Sequence, residues 1–342
     1  MSRYNLGYSR WLRVRFDTMF FLAGLLGMMA LGSVVVVSTT MPEDEVSDED
    51  DHTQESATAE ADSQTGSLFE QMGVVESGSE GDDTMAGSDN TDVLIGMDGD
   101  DVIEGGGEDD ELHGNDGTDT VLGGDDDDTI HGEDGDDLLD GGDDDDDLYG
   151  HHGDDAMQGG DGDDHLVGGL GNDIMDGGIG DDALGGREGE DTLHGGLGSD
   201  TLFGGFDNDL VNGVVRGETG EDIDDQDFLN GGDGDDTIAA GSGDIVTAGE
   251  GADTFVLGDW ITGDAAQFMD YDNSEDQLVI VYDDSMGDED PELDIRVSAD
   301  DPNMTEVVVD GAVLATMASE NAPSIDSVVL VGESMADELA VA

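Results

Sequence analysis

Residues 159–178 read GGDGDDHLVGGLGNDIMDGG. Glycines surround a pair of aspartates, Asp163 and Asp164, and one aliphatic residue, Leu166, follows. Nine residues on, the block begins again. Followed outward at that spacing, acids stand at Asp83, Asp92, Asp101, Asp110, Asp119, Asp128, Asp137, Asp146, Asp155, Asp164, Asp173, Asp182, Asp191, Asp200, Asp209, Glu218, Asp227 and Asp236. The second residue after each acid is apolar, from Met85 and Leu94 to Leu229 and Ile238, with Gly220 the one break. Two places further on is glycine, from Gly87 to Gly213 and at Gly231, with exceptions at Asp222 and Ala240. Three registers held in phase over this length mean a solenoid.

The residue types say how one nonapeptide works. Three residues such as His165-Leu166-Val167 form a short strand whose central side chain points inward. One aliphatic residue makes no core alone, but stacked coils align these residues into a ladder. The other six, Gly159 to Asp164, form a turn in which glycine allows positive φ and close backbone approach. The turn exposes carbonyl oxygens and adds a carboxylate. Calcium takes about 6–8 such oxygen ligands at ~2.3–2.6 Å, whereas magnesium demands tighter octahedral geometry.

GGDGDDHLV at 159–167 and GGIGDDALG at 177–185 resemble the repeat-in-toxin, or hemolysin-type, calcium-binding nonapeptide. The resemblance covers residues 79–251. It implies an all-β fold, a parallel β-roll in which two nonapeptides make one coil and calcium sits between successive turns on each edge. It also implies that the sixth residue of each repeat supplies the carboxylate. Those positions are the seventeen aspartates named above. Turn glycines join them as candidate metal-site residues: Gly105, Gly114, Gly123, Gly132, Gly141, Gly159, Gly162, Gly168, Gly171, Gly177, Gly180, Gly195 and Gly198. The expectation is several Ca2+ ions, roughly one per intact repeat.

An eighteen-residue coil predicts that alternate turns share an edge, and the sequence alternates. GGGEDD (105–110), GGDDDD (123–128) and GGDDDD (141–146) carry an acid at the fourth place, and GGDGDD (159–164) follows them on that edge. GNDGTD (114–119), GEDGDD (132–137), GHHGDD (150–155) and GGLGND (168–173) keep glycine there. A side chain at a site that prefers positive φ costs about 1 kcal/mol or more. Residues 214–222, VVRGETGED, keep the spacing but lose the inward residue, which predicts a loosened coil. Between Asp236 and Asp244 the spacing falls to eight, which reads as the end of the roll.

Composition agrees. The chain has 342 residues with 91 acidic side chains, a formal charge of −84 and 35% apolar residues. Such a charge repels nucleic acid and anionic lipid and opposes compaction, unless a cation reverses the sign. With no cysteine, disulfides and thiolate sites are excluded, and oxygen-bound metal is the available staple.

The flanks define the remaining domains. Residues 1–17 hold four of the seven arginines, and 18–42 are uncharged and apolar enough to span ~30 Å of bilayer. They read as a basic cytoplasmic segment and a transmembrane anchor or signal helix. Residues 43–78 read as an acidic disordered linker. Residues 252–342 read as a C-terminal β cap, with strands expected at 254–260, 277–283, 293–298, 305–310, 312–317 and 327–332. A two-residue hairpin is expected at Asp310-Gly311. GADTFVLGDW and MDYDNSEDQLVIV resemble the region that follows the repeats in serralysin-type secreted proteins, which implies a C-terminal export signal. The zinc motif His-Glu-x-x-His of those proteases, a G-x-S-x-G elbow and a P-loop are all missing.

His113, His131 and His194 follow inward aliphatic residues and read as outward strand positions. His151 and His152 lie in a turn, as a tolerated substitution or a transition-metal site. The reading is an exported, non-enzymatic calcium-binding protein at the cell surface or in the matrix, structural or adhesive, anchored by its N-terminal segment, with no nucleic-acid partner. The alternatives are a type I secretion substrate and a remnant of a secreted hydrolase with any activity in 252–342.

Overall fold

The computed structural model describes residues 73–218, 220–284 and 291–333. The expected segments 1–17 and 18–42, and the linker up to residue 72, lie outside the described residues. No helix among the described residues is long and apolar enough to cross a membrane.

Two parallel sheets face each other across a narrow core. Successive strands alternate between them, so each strand pairs with the one a coil earlier and a coil later. The register is eighteen residues: Leu148 pairs with Leu166, and Leu166 with Leu184, while in the other sheet Leu139 pairs with Met157, and Met157 with Met175. The fold is the all-β parallel roll that the nonapeptide implied.

The strands are longer than expected. His165–Leu170 has six residues and runs through the first three places of the next turn. Its buried residues alternate, Leu166 and then Gly168, as a strand's period of two requires. The true turn is only three residues, such as Gly171 to Asp173. Every expected inward residue from Met85 to Ile238 is buried, most of them completely. A single coil therefore contributes two aliphatic side chains, one from each sheet, and its core exists only between its neighbours.

Three boundaries differ from the sequence reading. The strand Val75–Ser77 pairs with Val93–Ile95, so the first sheet begins inside the expected linker. The described residues of 214–222 contribute no strand to the roll, although Val214 stays against the core and Asp222 is buried: Leu202 pairs with Leu229, twenty-seven residues on. The nine-residue spacing survives because one whole repeat has left the roll. The shortened spacing after Asp236 does not end the roll either. The coil closes with one residue fewer, and Leu229 pairs with Val246 in unbroken parallel register.

Beyond residue 251 the same two sheets continue. Thr254–Gly258, Gln277–Tyr282 and Val329–Gly332 extend one; Ala266–Phe268 and Ala312–Ala318 extend the other. The inward residues become larger here. Phe255 lies 4.5 Å from Phe268 and 5.2 Å from Tyr271 between ring centres, and buried Trp260 donates its Nε1–H to the Ala240 carbonyl at 2.9 Å. Antiparallel strands Met304–Val309 and Leu293–Val297 complete the first sheet. Asp310 and Gly311 both have positive φ, 49° and 90°, as a two-residue hairpin requires. The short strand Ala266–Phe268 had no sequence signal.

Leu166→Ala should destabilise the calcium-loaded roll by about 2–5 kcal/mol, since the buried side chain leaves a cavity. Val167→Ala, on the outward face, should change it by less than about 1 kcal/mol. Urea unfolding of both variants in saturating calcium checks the contrast.

Candidate metal centre

The second inward position of each strand explains the aspartates. In strand Ala156–Asp161, Gly159 points inward at the edge of the core, and Asp164, five residues on, turns its carboxylate back over it. A methyl group built on Gly159 would fall 2.3 Å from Asp164 Oδ2 and 2.6 Å from the carbonyl oxygen of Gly177 in the next coil. Glycine is therefore required, and the space that a Cβ would fill is bounded by a carboxylate oxygen and a carbonyl oxygen. Gly105, Gly123, Gly132, Gly141 and Gly177 repeat both contacts. Gly114, Gly168 and Gly195 lie against the carboxylates of Asp119, Asp173 and Asp200.

The expected glycines at the fourth place of the turn do something else. Gly162, Gly171, Gly180 and Gly198 have φ between 128° and 159° and pack their Cα onto a carbonyl of the preceding coil. They set coil spacing, and the atoms nearest a Cβ built on them are backbone atoms of the preceding coil. Where a side chain replaces glycine, φ tightens into the left-handed region: Glu108 at 61°, Asp126 at 74°, Asp144 at 78°. The substituted turns keep their path at the strain expected of them.

From Asp101 to Asp236, the ladder carboxylates are only half satisfied. Oδ1 of Asp164 accepts the backbone N–H of Asp146, one coil back, at 2.8 Å, and Asp164 N–H donates to Asp182 Oδ1 at 2.8 Å. Such bonds run from Asp101 through Asp110, Asp119, Asp128, Asp137, Asp155, Asp173 and Asp191. Oδ2 is another matter. It is buried and lacks a hydrogen-bond donor at every ninth aspartate from Asp101 to Asp209, and again at Asp227 and Asp236. An ionised carboxylate buried with one oxygen bare is unstable unless something positive meets it.

The electrostatics run the same way. Like carboxylates repeat at the strand spacing of ~4.8 Å, where neighbouring unit charges repel by roughly 3 kcal/mol at an effective dielectric constant of about 20. A backbone hydrogen bond returns about 0.5–1.5 kcal/mol. Repulsion wins unless protons or cations intervene. Burial, and then the neighbouring aspartates, push Asp146 up to about 8, Asp128 and Asp182 up to about 7, and Asp164 up to about 6, against the lowering effect of the backbone N–H. The donors are oxygen throughout and alternate carboxylate with carbonyl, which suits calcium.

Two of the seventeen aspartates are set apart. Asp83 Oδ2 accepts from Ser79 N–H and Oγ–H at 2.6 and 2.8 Å, and Asp92 Oδ2 accepts from Ser88 N–H at 2.5 Å. Serine follows the first turn glycine in these two turns and satisfies the oxygen left bare elsewhere.

Three further acids join that the nine-residue count did not single out. Asp244 and Asp253 are buried and continue the ladder, accepting from Asp227 and Asp236 N–H at 3.1 and 3.0 Å. Nine residues separate them, so the signal was present but shifted in phase. Asp224 had no signal. It belongs to the segment between the expelled repeat and Asp227, and its carboxylate comes to Asp200 and Asp227, with one oxygen of each within 4.8 Å of the others. Its Oδ1 accepts Gly198 N–H at 2.7 Å, and its buried Oδ2 has no donor. Burial above all pushes Asp227 up to about 10 there.

The expelled loop packs on the cap. The Arg216 guanidinium lies 4.2 Å from the Trp260 ring centre and pairs with Glu333 at 2.9 Å.

Against known proteins, the model of the RTX calcium-binding nonapeptide repeat matches residues 77–112, 113–148, 122–156, 149–184, 185–213 and 224–244. The unmatched residues 214–223 are the loop expelled from the roll. No curated protein matches the chain. Among solved structures, the chain is similar to the extracellular lipase LipA of Serratia marcescens at 20% identity, over 60% of this chain and 40% of that one, with a TM-score of 0.23. A likeness of that score carries no weight for fold or function. The family match stops at residue 244, short of the cap.

Two predictions follow from the geometry. Gly168→Ala places a methyl 2.1 Å from Asp173 Oδ2 and should lower calcium affinity at that turn. Gly185→Ala, with nothing within 4 Å, should leave calorimetric titrations unchanged. In chelator, the raised carboxyls make the fold favour protonated aspartates. That stability is present below the unfolded value near 3.8 and is lost as pH rises through about 6 to 8. The β signal of the metal-free protein should therefore be larger at pH 5 than at pH 8.5 by circular dichroism.

Proposed function

We propose that this chain, whose residues 77–244 form an RTX calcium-binding nonapeptide repeat region, is an exported protein that folds when its aspartate ladders load with calcium. The observation that carries this reading is the row of buried Oδ2 atoms without donors. The aspartates from Asp101 to Asp209, with Asp227 and Asp236, supply these oxygens, and the inward glycines supply carbonyls from the next coil. Asp224 adds a third carboxylate to the site of Asp200 and Asp227. Asp83 and Asp92 close the ladders through serine instead. The stoichiometry is close to one ion for each bare Oδ2.

In a calcium-poor compartment the repulsion keeps the chain open. At millimolar calcium, sites of the weak extracellular class, about 10⁻⁴–10⁻³ M, fill, and binding energy becomes folding energy. Export is the reading that uses this difference. The chain works as a non-catalytic surface or matrix component. Its cap closes the open end of the core, and its N-terminal segment is the anchor or signal.

In excess chelator, residues 79–251 should be cut readily by protease and show little β signal. Calcium, but not equimolar magnesium, should restore both resistance and signal. A roll that resists protease equally in chelator would sink the coupling of binding to folding. Asp164→Asn should weaken calcium binding at neighbouring turns without abolishing folding, because coils couple mainly to their neighbours.

A further inference from the structure

The outward face of the first sheet carries a second group of ligand atoms, away from the aspartate ladders. Parallel register stacks His113, His131 and Tyr149 in one column, and Asn115, Glu133 and His151 in the next column on the same face. The His113 and His131 rings stack 4.8 Å apart with nearly parallel planes, and Tyr149 stacks on His131 at 4.9 Å. The His131 and His151 rings are themselves partly stacked, with centres 5.2 Å apart and planes 28° from parallel. His131 Nδ1 lies 3.0 Å from His151 Nε2, and Glu133 Oε1 lies 4.0 Å from the same His151 nitrogen.

We propose that His131, His151 and Glu133 form a binding site for a first-row transition-metal dication, of the Cu2+ or Ni2+ class, separate from the calcium sites. Two imidazole nitrogens at ~2.0–2.1 Å from one ion and 3.0 Å from each other subtend roughly 95° at the metal. That is the near-right angle of tetragonal N,O coordination. Calcium, an oxygen-seeking ion, does not compete for such nitrogens.

Glu133 and His151 sit in the left-handed region, at φ 80° and 76°, as do Met97, Asn115 and Arg187 in the same column, where Gly169 and Gly205 also stand. Each side chain costs about 1 kcal/mol there against glycine. One ligand atom from each of His131, Glu133 and His151 lies within 4.8 Å of the others. The surrounding acid excess raises the local concentration of any dication.

The test uses the full chain, saturated with calcium so that the aspartate sites are filled, and one equivalent of Cu2+. Electron paramagnetic resonance should show coupling to two imidazole nitrogens. His131→Ala and His151→Gly should each reduce this to one and weaken binding by at least the 10–100-fold typical of lost outer-shell partners. His165→Ala should leave the signal unchanged. His151→Gly restores the residue found at Gly169, so a folding defect is not expected, and calcium-dependent circular dichroism checks it. An oxygen-only signal in the parent protein would overturn the site, as would a two-nitrogen signal that survives in the double variant.

Discussion

The rest of this structure depends on a buried carboxylate with one bare oxygen, repeated every nine residues. From Asp101 to Asp209, and at Asp227 and Asp236, each ladder aspartate spends Oδ1 on the backbone of the neighbouring coil and leaves Oδ2 inside the turn with no donor. The first bond fixes the coil spacing. The second oxygen makes that spacing untenable without positive charge. Glycine at the adjacent inward position follows from the same contact, because a side chain there would occupy the carboxylate's space. The aliphatic ladder supplies cohesion, but only two residues per coil, and each rung is useful only between others. Hydrophobic burial alone therefore has to contend with a row of like charges in every coil.

Much of this was legible in the residues. The nine-residue phase of acid, aliphatic residue and glycine identified the solenoid, the inward column and the row of buried aspartates, because one side chain per register has one job. The alternation of turns separated the two edges. Length was less legible. Strands of three were expected and strands of six formed, because glycine carries little β propensity yet here continues the strand to its carboxylate partner. The expelled repeat was half visible: Gly220 in place of an aliphatic residue marked a fault. An insertion of one full period leaves the phase intact, however, so counting could not tell a loosened coil from an absent one.

Asp224 and the His131–His151 pair show the other limit. Both are made by juxtaposition across coils, at separations set by topology rather than by motif. Asp224 reaches Asp200 only because the loop was expelled, and His131 meets His151 diagonally across two strands. The sequence reading left His151 open between a tolerated turn substitution and a metal ligand, and the register supplies the partner it lacked. The cap is the simpler case. Its strands were visible as β-branched runs, and its aromatic residues close a core that would otherwise end on an exposed rung.

The most direct measurement is diffraction from crystals grown in calcium, with anomalous signal used to place the ions. The account predicts calcium within about 2.3–2.6 Å of Oδ2 at the ladder aspartates from Asp101 to Asp236, and none at Asp83 and Asp92, where serine already satisfies that oxygen. Ordered coils whose Oδ2 atoms have no calcium beside them would contradict it.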